Sequence, residues 1–457
     1  MHAPHSRDQL LHVQTDFGVD ELSARRTAVM AAMGGGCAVL AAIPGVSGSH
    51  PYRQTNEFYY LTGLDVAGAY LVLDADAGRS ALYLRPRDAR GEQVEGPMLC
   101  DEDGEFVRKH TGVEQVLPLA QLRADLAGRR RLFILRDAGE RFAEYQDTLR
   151  AYAREINADP LNQRPTDEEQ LLLRLAQLCP CAEFRDLSAI LHELRLIKSP
   201  AELRLMRRAG QITARATLEA MRATRAGSLE SDLAAVADYV FRANGALGGA
   251  YRPIISTGRN IWAMHYWRLN TRLPSGDWVL FDYAPDFRYY TSDIGRMWPV
   301  DGVYSDKQRS LYQLVIDYHK LLISLIKPGV TVGQIYSEAA ETFRPTVESW
   351  RFPHEDYRAA GRDLLASTRP LSHPVGMAVH DPGNYTGRPL KAGDVFSVDP
   401  ELFIRRRREY VRCEDTVAVT EDGCEVLTGE CPLEIDDVER VMREPGLLQT
   451  FPAKVEG

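Results

Sequence analysis

At 457 residues the chain is longer than one hydrophobic core ordinarily organises, so two domains are expected. Its 44% hydrophobic and 26% charged residues are those of a soluble globular protein. A formal charge of -9 argues against nucleic acid or an anionic membrane as partner, since either favours a basic face.

Residues 1–190 alternate between strand and helix patterns. The run "AVMAAMGGGCAVLAAIPGV" from Ala28 lies too far from the start, behind Asp20 and Glu21, to be a secretory leader. Its glycines also break any spanning helix. It reads instead as a helix ending near Met33 and a buried strand, "CAVLAAI". Further strands are predicted at "AYLVLDA", "ALYLRP" and "RLFILRD", and helices at "GEFVRKHTG" and "ERFAEYQDTLRAYARE". This alternation predicts an α/β layered domain. The polar "INADPLNQRPTDEEQ" is a linker or a surface loop. Seven scattered cysteines, with Cys179-Pro180-Cys181 lacking CxxC spacing, imply reduced thiols and a cytoplasmic location.

Residues 191–457 open differently. Ser199, Pro200 and Glu202 mark a helix start, and Leu203, Met206, Ala209, Ile212 and Leu218 recur at helical spacing. A second helix, "LESDLAAVADYVFRANG", ends at glycine. Strands follow in "RPIISTG", "DWVLFDYA" and "RYYTSDIGRMW", then helices over "DKQRSLYQLVIDYHKLLISLIKPG" and "TVGQIYSEAAETFRPTVESW". Strands return in "DVFSVDPELFI", "YVRCEDTVAVT" and "CEVLT". The predicted class is α+β with an antiparallel sheet. The basic run Arg405–Arg408 lies between two apolar segments and reads as a solvated hairpin tip.

Five residues on these strands stand out: Asp282, Asp293, His373, Asp399 and Glu414. Each carboxylate lies within or beside an apolar run, where alternation buries half the side chains. A hairpin centred near Phe287-Arg288 would set Asp282 opposite Asp293, with a bulge adjusting the register. Four buried carboxylates repel one another unless cations neutralise them. Two divalent ions would balance the charge, and an oxygen-rich shell with one histidine suits manganese better than a thiolate-seeking metal. Such ions, about 3.5–4 Å apart, share a bridging hydroxide and polarise a carbonyl.

The segments "DYAPDFRYYTSD", "SHPVGMAVHD", "VDPEL" and "VRCED" resemble the dinuclear metallopeptidases of pita-bread fold. That family includes methionine aminopeptidase, prolidase and aminopeptidase P. "LRLIKSPAELRLMRRA" resembles the entry helix of their catalytic domain, and "YRQTNEFYYLTG" the amino-terminal domain of aminopeptidase P. The resemblance implies an amino-terminal domain over 1–190 and a catalytic domain over 191–457. It implies that Asp282 holds one metal, that His373 and Asp399 hold the other, and that Asp293 and Glu414 bridge. The metals would be Mn2+, with Co2+ or Zn2+ as alternatives. By the same resemblance His265 meets the substrate near the scissile bond, His380 contacts substrate or leaving group, and Arg412 supports the site by ion pairing.

Two positions depart from the family pattern. Asp399 stands where glutamate is usual, which shortens the reach of the expected proton carrier by about 1.5 Å. Arg369 replaces a common histidine and would favour a carboxylate-bearing substrate group. The expected function is metal-dependent hydrolysis of Xaa-Pro bonds on a peptide substrate, with a homo-oligomer, dimer or tetramer, implied by analogy. The alternatives are a weakened or inactive peptide-binding member of the fold, or a hydrolase of another amide. Singly, most of these residues have structural readings, and it is their joint occurrence that points to metal. Tyr289 and Tyr290 read as structural, His319 and His354 as packing or surface residues, and Cys413 as facing away from the site.

Overall fold

A computed structural model describes residues 13–45, 52–369 and 371–451. The chain divides into two units, residues 1–195 and 196–457.

The first unit is built on a six-stranded mixed sheet. Its strands are β1 (Cys37–Ala41), β2 (Tyr70–Asp74), β3 (Arg79–Leu84), β4 (Gln115–Pro118), β5 (Arg131–Ile134) and β6 (Glu183–Asp186), in the order β4-β3-β2-β1-β5-β6. β1, β2 and β3 pair antiparallel; the remaining pairs are parallel. The four apolar strands expected from the sequence are β1, β2, β3 and β5. Sequence reading missed β4 and β6, the two sheet edges, because each is four residues long and neither is fully buried. The helix expected from Glu140 begins only at Gln146, since the backbone turns at Phe142–Ala143 and Ala143 adopts a positive φ.

The "YRQTNEFYYLTG" segment forms a short helix, α1 (Asn56–Thr62), capped by the Thr55 hydroxyl and closed by left-handed Gly63. Every residue of this helix is buried, including Asn56 and Glu57. Its polar groups find partners inside: Asn56 Nδ2 donates to Glu140 Oε2 at 2.9 Å, and Arg195 reaches Glu140 at 2.7 Å and Glu57 at 3.5 Å.

The second unit opens with α2 (Pro200–Ala223). Ser199 and Glu202 form the expected reciprocal cap. Met206, Ala209 and Ile212 are buried, whereas Leu203 and Leu218 lie at the margin of the buried face. A seven-stranded antiparallel sheet carries the unit. It comprises β8 (Ile254–Thr257), β9 (Trp278–Asp282), β11 (Ile294–Pro299), β12 (Leu371–Pro374), β13 (Val395–Val398), β16 (Glu414–Val419) and β17 (Cys424–Val426). The path runs β12-β13-β16-β11-β9-β8, with β17 on β16. Two ribbons accompany it: β7 (Gly248–Gly249) with β10 (Pro285–Asp286), and β14 (Glu401–Ile404) with β15 (Glu409–Arg412).

Arg405–Arg408 is the tip of the β14–β15 ribbon, as expected, and Arg407 pairs with Asp356 at 3.0 Å. The expected strand "RYYTSDIGRMW" begins only at Ile294. The chain reverses at Arg288 and Tyr289, which both take positive φ, with Phe287 and Tyr290 bonding across the turn. In the resulting register Arg296 faces Phe281, so Asp282 and Asp293 are not direct cross-strand partners. A helix over Glu355–Ala366, unforeseen in the sequence, is capped by His354. His319 is a packing residue with no exposure. Among the described residues no helix is long and apolar enough to cross a membrane.

Candidate metal centre

All five candidate ligands converge on the seven-stranded sheet. Asp282 ends β9, Asp293 directly precedes β11, His373 lies on β12, Asp399 directly follows β13 and Glu414 begins β16. Strand register explains the convergence: Gly295 pairs with Glu414, and Val398 pairs with both Leu371 and Asp415. Thr416 fixes Asp293 further, donating to its carbonyl at 2.9 Å while its Oγ1 lies 2.6 Å from the Asp293 amide. Gly295 is required where it stands. A Cβ there would lie 2.8 Å from Arg412 Nε and 3.0 Å from Glu414 Cβ.

One oxygen or nitrogen from each of Asp293, His373 and Glu414 lies within 4.8 Å of the others, close enough to share an ion. His373 directs Nε2 to within 3.4 Å of Asp293 and leaves Nδ1 beside the Pro374 carbonyl at 3.1 Å. Asp282 and Asp399 join this group through Arg412. Its guanidinium touches Asp282 at 3.1 Å, Asp399 at 3.1 Å, and Glu414. The four carboxylates range from 1% to 7% exposed, so water does little to separate their charges.

The electrostatics record that crowding. Burial, followed by the charge of Asp293, pushes Asp282 up to about 7. Burial also raises Asp399 well above the carboxylate range. Asp293 goes the other way: burial works upward, but the adjacent His373 ring and the Arg412 charge outweigh it. The Oδ1 atom of Asp399 and the Nε atom of Arg412 stand 3.1 Å apart yet lack hydrogen-bond alignment with each other or any other group. Four buried carboxyl groups sharing one fixed cation and one imidazole, more acid than Arg412 can neutralise, fit divalent metal ions.

Sequence reasoning missed Tyr251. Its hydroxyl lies 2.8 Å from an oxygen of both Asp282 and Asp293. It sits in "GGAYRP", a segment with no metal-ligand spacing to flag it.

Of the expected substrate residues, the two histidines join Arg412 at this cluster. His380 stacks on His373 with ring centres 3.7 Å apart, and His265 meets His380 edge-on at 6.3 Å. His265 keeps an exposed side, though desolvation by its surroundings, ahead of the Arg412 charge, lowers its pKa. Arg369 is exposed and lines a cavity of about 780 Å³ with Trp262, Met264, Glu401, Phe403 and Arg405. Neither His265, His380 nor any of the five candidate ligands lines this cavity, so the structure does not bring Arg369 together with them.

Comparison with known proteins identifies the family and fold. Residues 204–421 match the model of metallopeptidase family M24, which is the class that fold and site define. Residues 22–131 match the aminopeptidase P N-terminal domain. The Xaa-Pro aminopeptidase of Escherichia coli K12 is 30% identical over 454 residues, covering 94% of this chain and 98% of the relative. The mitochondrial intermediate cleaving peptidase 55 of Arabidopsis thaliana is 29% identical over 86% of this chain and 76% of its own length. The solved structure of Escherichia coli aminopeptidase P with the inhibitor Pro-Leu superposes with a TM-score of 0.74, at 26% identity, covering 94% of this chain and 99% of that one. The chain belongs to the aminopeptidase P family, and its second unit has the pita-bread fold.

Proposed function

We propose that this protein is a metallo-aminopeptidase that hydrolyses Xaa-Pro peptide bonds and releases the residue before proline. The observation that carries the reading is the convergence of Asp282, Asp293, His373, Asp399 and Glu414 around Arg412, within a chain matched almost end to end by an Xaa-Pro aminopeptidase. All five candidate positions keep a metal-binding side chain, with aspartate for the usual glutamate at Asp399, and this weighs against an inactive peptide-binding member of the fold.

Asp282, Asp293, His373, Asp399 and Glu414 would hold two divalent ions, Mn2+ by preference for this oxygen-rich set. When bound, those ions supply Lewis acidity and an activated water for amide hydrolysis. The chain's own residues do the rest. An Xaa-Pro bond is a tertiary amide without an N–H, so the site must hold its substrate by other contacts. His265, exposed beside His380, would meet the carbonyl side and stabilise developing charge. We assign the Asp399 carboxylate as the group that takes the released proton and passes it to the prolyl nitrogen. His380 would contact the leaving peptide, and Arg412 holds three of the carboxylates in place.

Protein loaded with Mn2+ is expected to cleave an Xaa-Pro-Xaa tripeptide, an Xaa-Pro dipeptide, or both, with about two metals per chain by elemental analysis. Full metal occupancy with no cleavage of either substrate would overturn the assignment. A cytoplasmic location is proposed from the seven free cysteines, and cell fractionation tests it against the mitochondrial location in the name of one relative. A dimer or tetramer is proposed on family resemblance, and light scattering tests it.

A further inference from the structure

We propose that Lys198 is a positioning residue for the reaction: its buried ion pair with Asp381 clamps the loop that presents His380. The proposal rests on the peptidase reading, because His380 matters only if that site handles substrate.

Lys198 Nζ lies 3.1 Å from Asp381 Oδ2, and both side chains are 1% exposed. An ammonium and a carboxylate removed from water this completely are costly to retain for stability alone. Their placement indicates what they do. Asp381 is the immediate neighbour of His380, and its two oxygens are divided between two tasks. Oδ2 faces Lys198, while Oδ1 accepts the Ala378 amide at 3.2 Å. The Asp381 amide in turn donates to the Pro374 carbonyl at 2.9 Å, closing residues 374–381 into a loop. One end of that loop is next to the candidate ligand His373, and the other carries His380, whose ring stacks on His373.

The lysine is itself anchored. Its amide donates to the Gly393 carbonyl at 2.9 Å, and Ile197 bridges to Asp394. Gly376 lets the pair form. A Cβ there would lie 2.4 Å from Asp381 Oδ2 and 2.9 Å from Lys198 Cε, so any larger residue would force the two apart. A fixed cation beneath the loop therefore sets the depth and angle of His380 against His373 and His265.

The test uses the full chain carrying K198M together with D381N, a combination that leaves neither charge stranded in the interior. Metal content is expected to match the wild type. Turnover of an Xaa-Pro-Xaa peptide is expected to fall about 10- to 100-fold, the scale of a misplacement near 1 Å. In protein labelled at histidine Cε1, the His380 signal, assigned with H380Q, is expected to shift, while that of the exposed helix cap His354 stays put. Wild-type turnover, or an unmoved His380 signal in the folded double variant, would overturn the proposal. If the wild type itself cleaves neither peptide, the peptidase reading fails, and the His380 signal alone then decides whether the clamp exists.

Discussion

The Tyr251 hydroxyl stands 2.8 Å from Asp282 and 2.8 Å from Asp293, one proton facing two carboxylates. The phenol proton serves one of them, and Asp282, pushed up to about 7, can supply the proton for the second contact, so the phenol orients both aspartates. Burial, then the two carboxylate charges, raises the Tyr251 pKa well above its usual value, so the group stays a donor. Tyr251→Phe is expected to weaken metal binding about 10- to 100-fold, the usual cost of losing a group that orients ligands. Isothermal titration of metal-free protein with Mn2+ measures this, and unchanged affinity would remove Tyr251 from the site.

Arg412 makes a different prediction. It is the fixed cation touching Asp282, Asp399 and Glu414, and its removal leaves three buried carboxylates without it. Arg412→Met is expected to cost about 3–5 kcal/mol of stability in EDTA, the scale of breaking a buried ion pair. Saturating Mn2+ should restore much of that loss, because binding stabilises by mass action. Paired thermal melts with and without metal read the difference. A loss of equal size in both conditions would mean that Arg412 and the metals do not neutralise the same charges.

Asp399 is the family departure closest to the chemistry. Asp399→Asn keeps the shape of the side chain and removes its charge. Metal content is expected to fall from about two ions towards one, with turnover reduced about a hundredfold or more. Elemental analysis with single-turnover kinetics separates the two effects. Asp399→Glu tests reach instead: a large gain in turnover would show that the shorter carboxylate limits this enzyme.

The candidate cluster was legible because Asp282, Asp293, Asp399 and Glu414 all interrupt or border apolar strands; each alone has a structural reading, and only their joint occurrence pointed to metal. The turn between the two aspartates, expected near Phe287-Arg288, falls one residue later at Arg288 and Tyr289, whose positive φ no glycine or asparagine announces. The ordinary turn signal nearby, Pro285-Asp286, lies earlier in the chain. Pro285 and Asp286 are in fact a strand fragment paired with Gly248 and Gly249, a contact no local pattern encodes. Tyr251 was invisible for a related reason: its role depends on β8 pairing with β9, which places Ile254 beside Asp282. The role of Arg412 was foreseen as ion pairing, but its three simultaneous partners come only from tertiary geometry. The sheet edges β4 and β6 escaped because edge strands need not be apolar.

The last prediction concerns the first unit. Glu57 is buried beside Glu140, with Arg195 3.5 Å from Glu57 and 2.7 Å from Glu140. Burial, then the Glu140 charge, pushes Glu57 from an ordinary 4.5 up to about 8, against the opposing pull of Arg195. The folded state therefore binds the Glu57 proton more tightly than the unfolded state does. Its contribution to stability is complete below about 4.5 and is lost as pH rises through about 8. Glu57→Gln mimics the protonated form at every pH. The variant is expected to melt with the wild type near pH 5 and above it near pH 8.5. Urea midpoints across that range, taken as the difference between the two proteins, cancel the titration of all other groups. A difference that stays constant with pH, or one that grows towards acid, would show that Glu57 is ionised in the folded protein and that Arg195 holds it so.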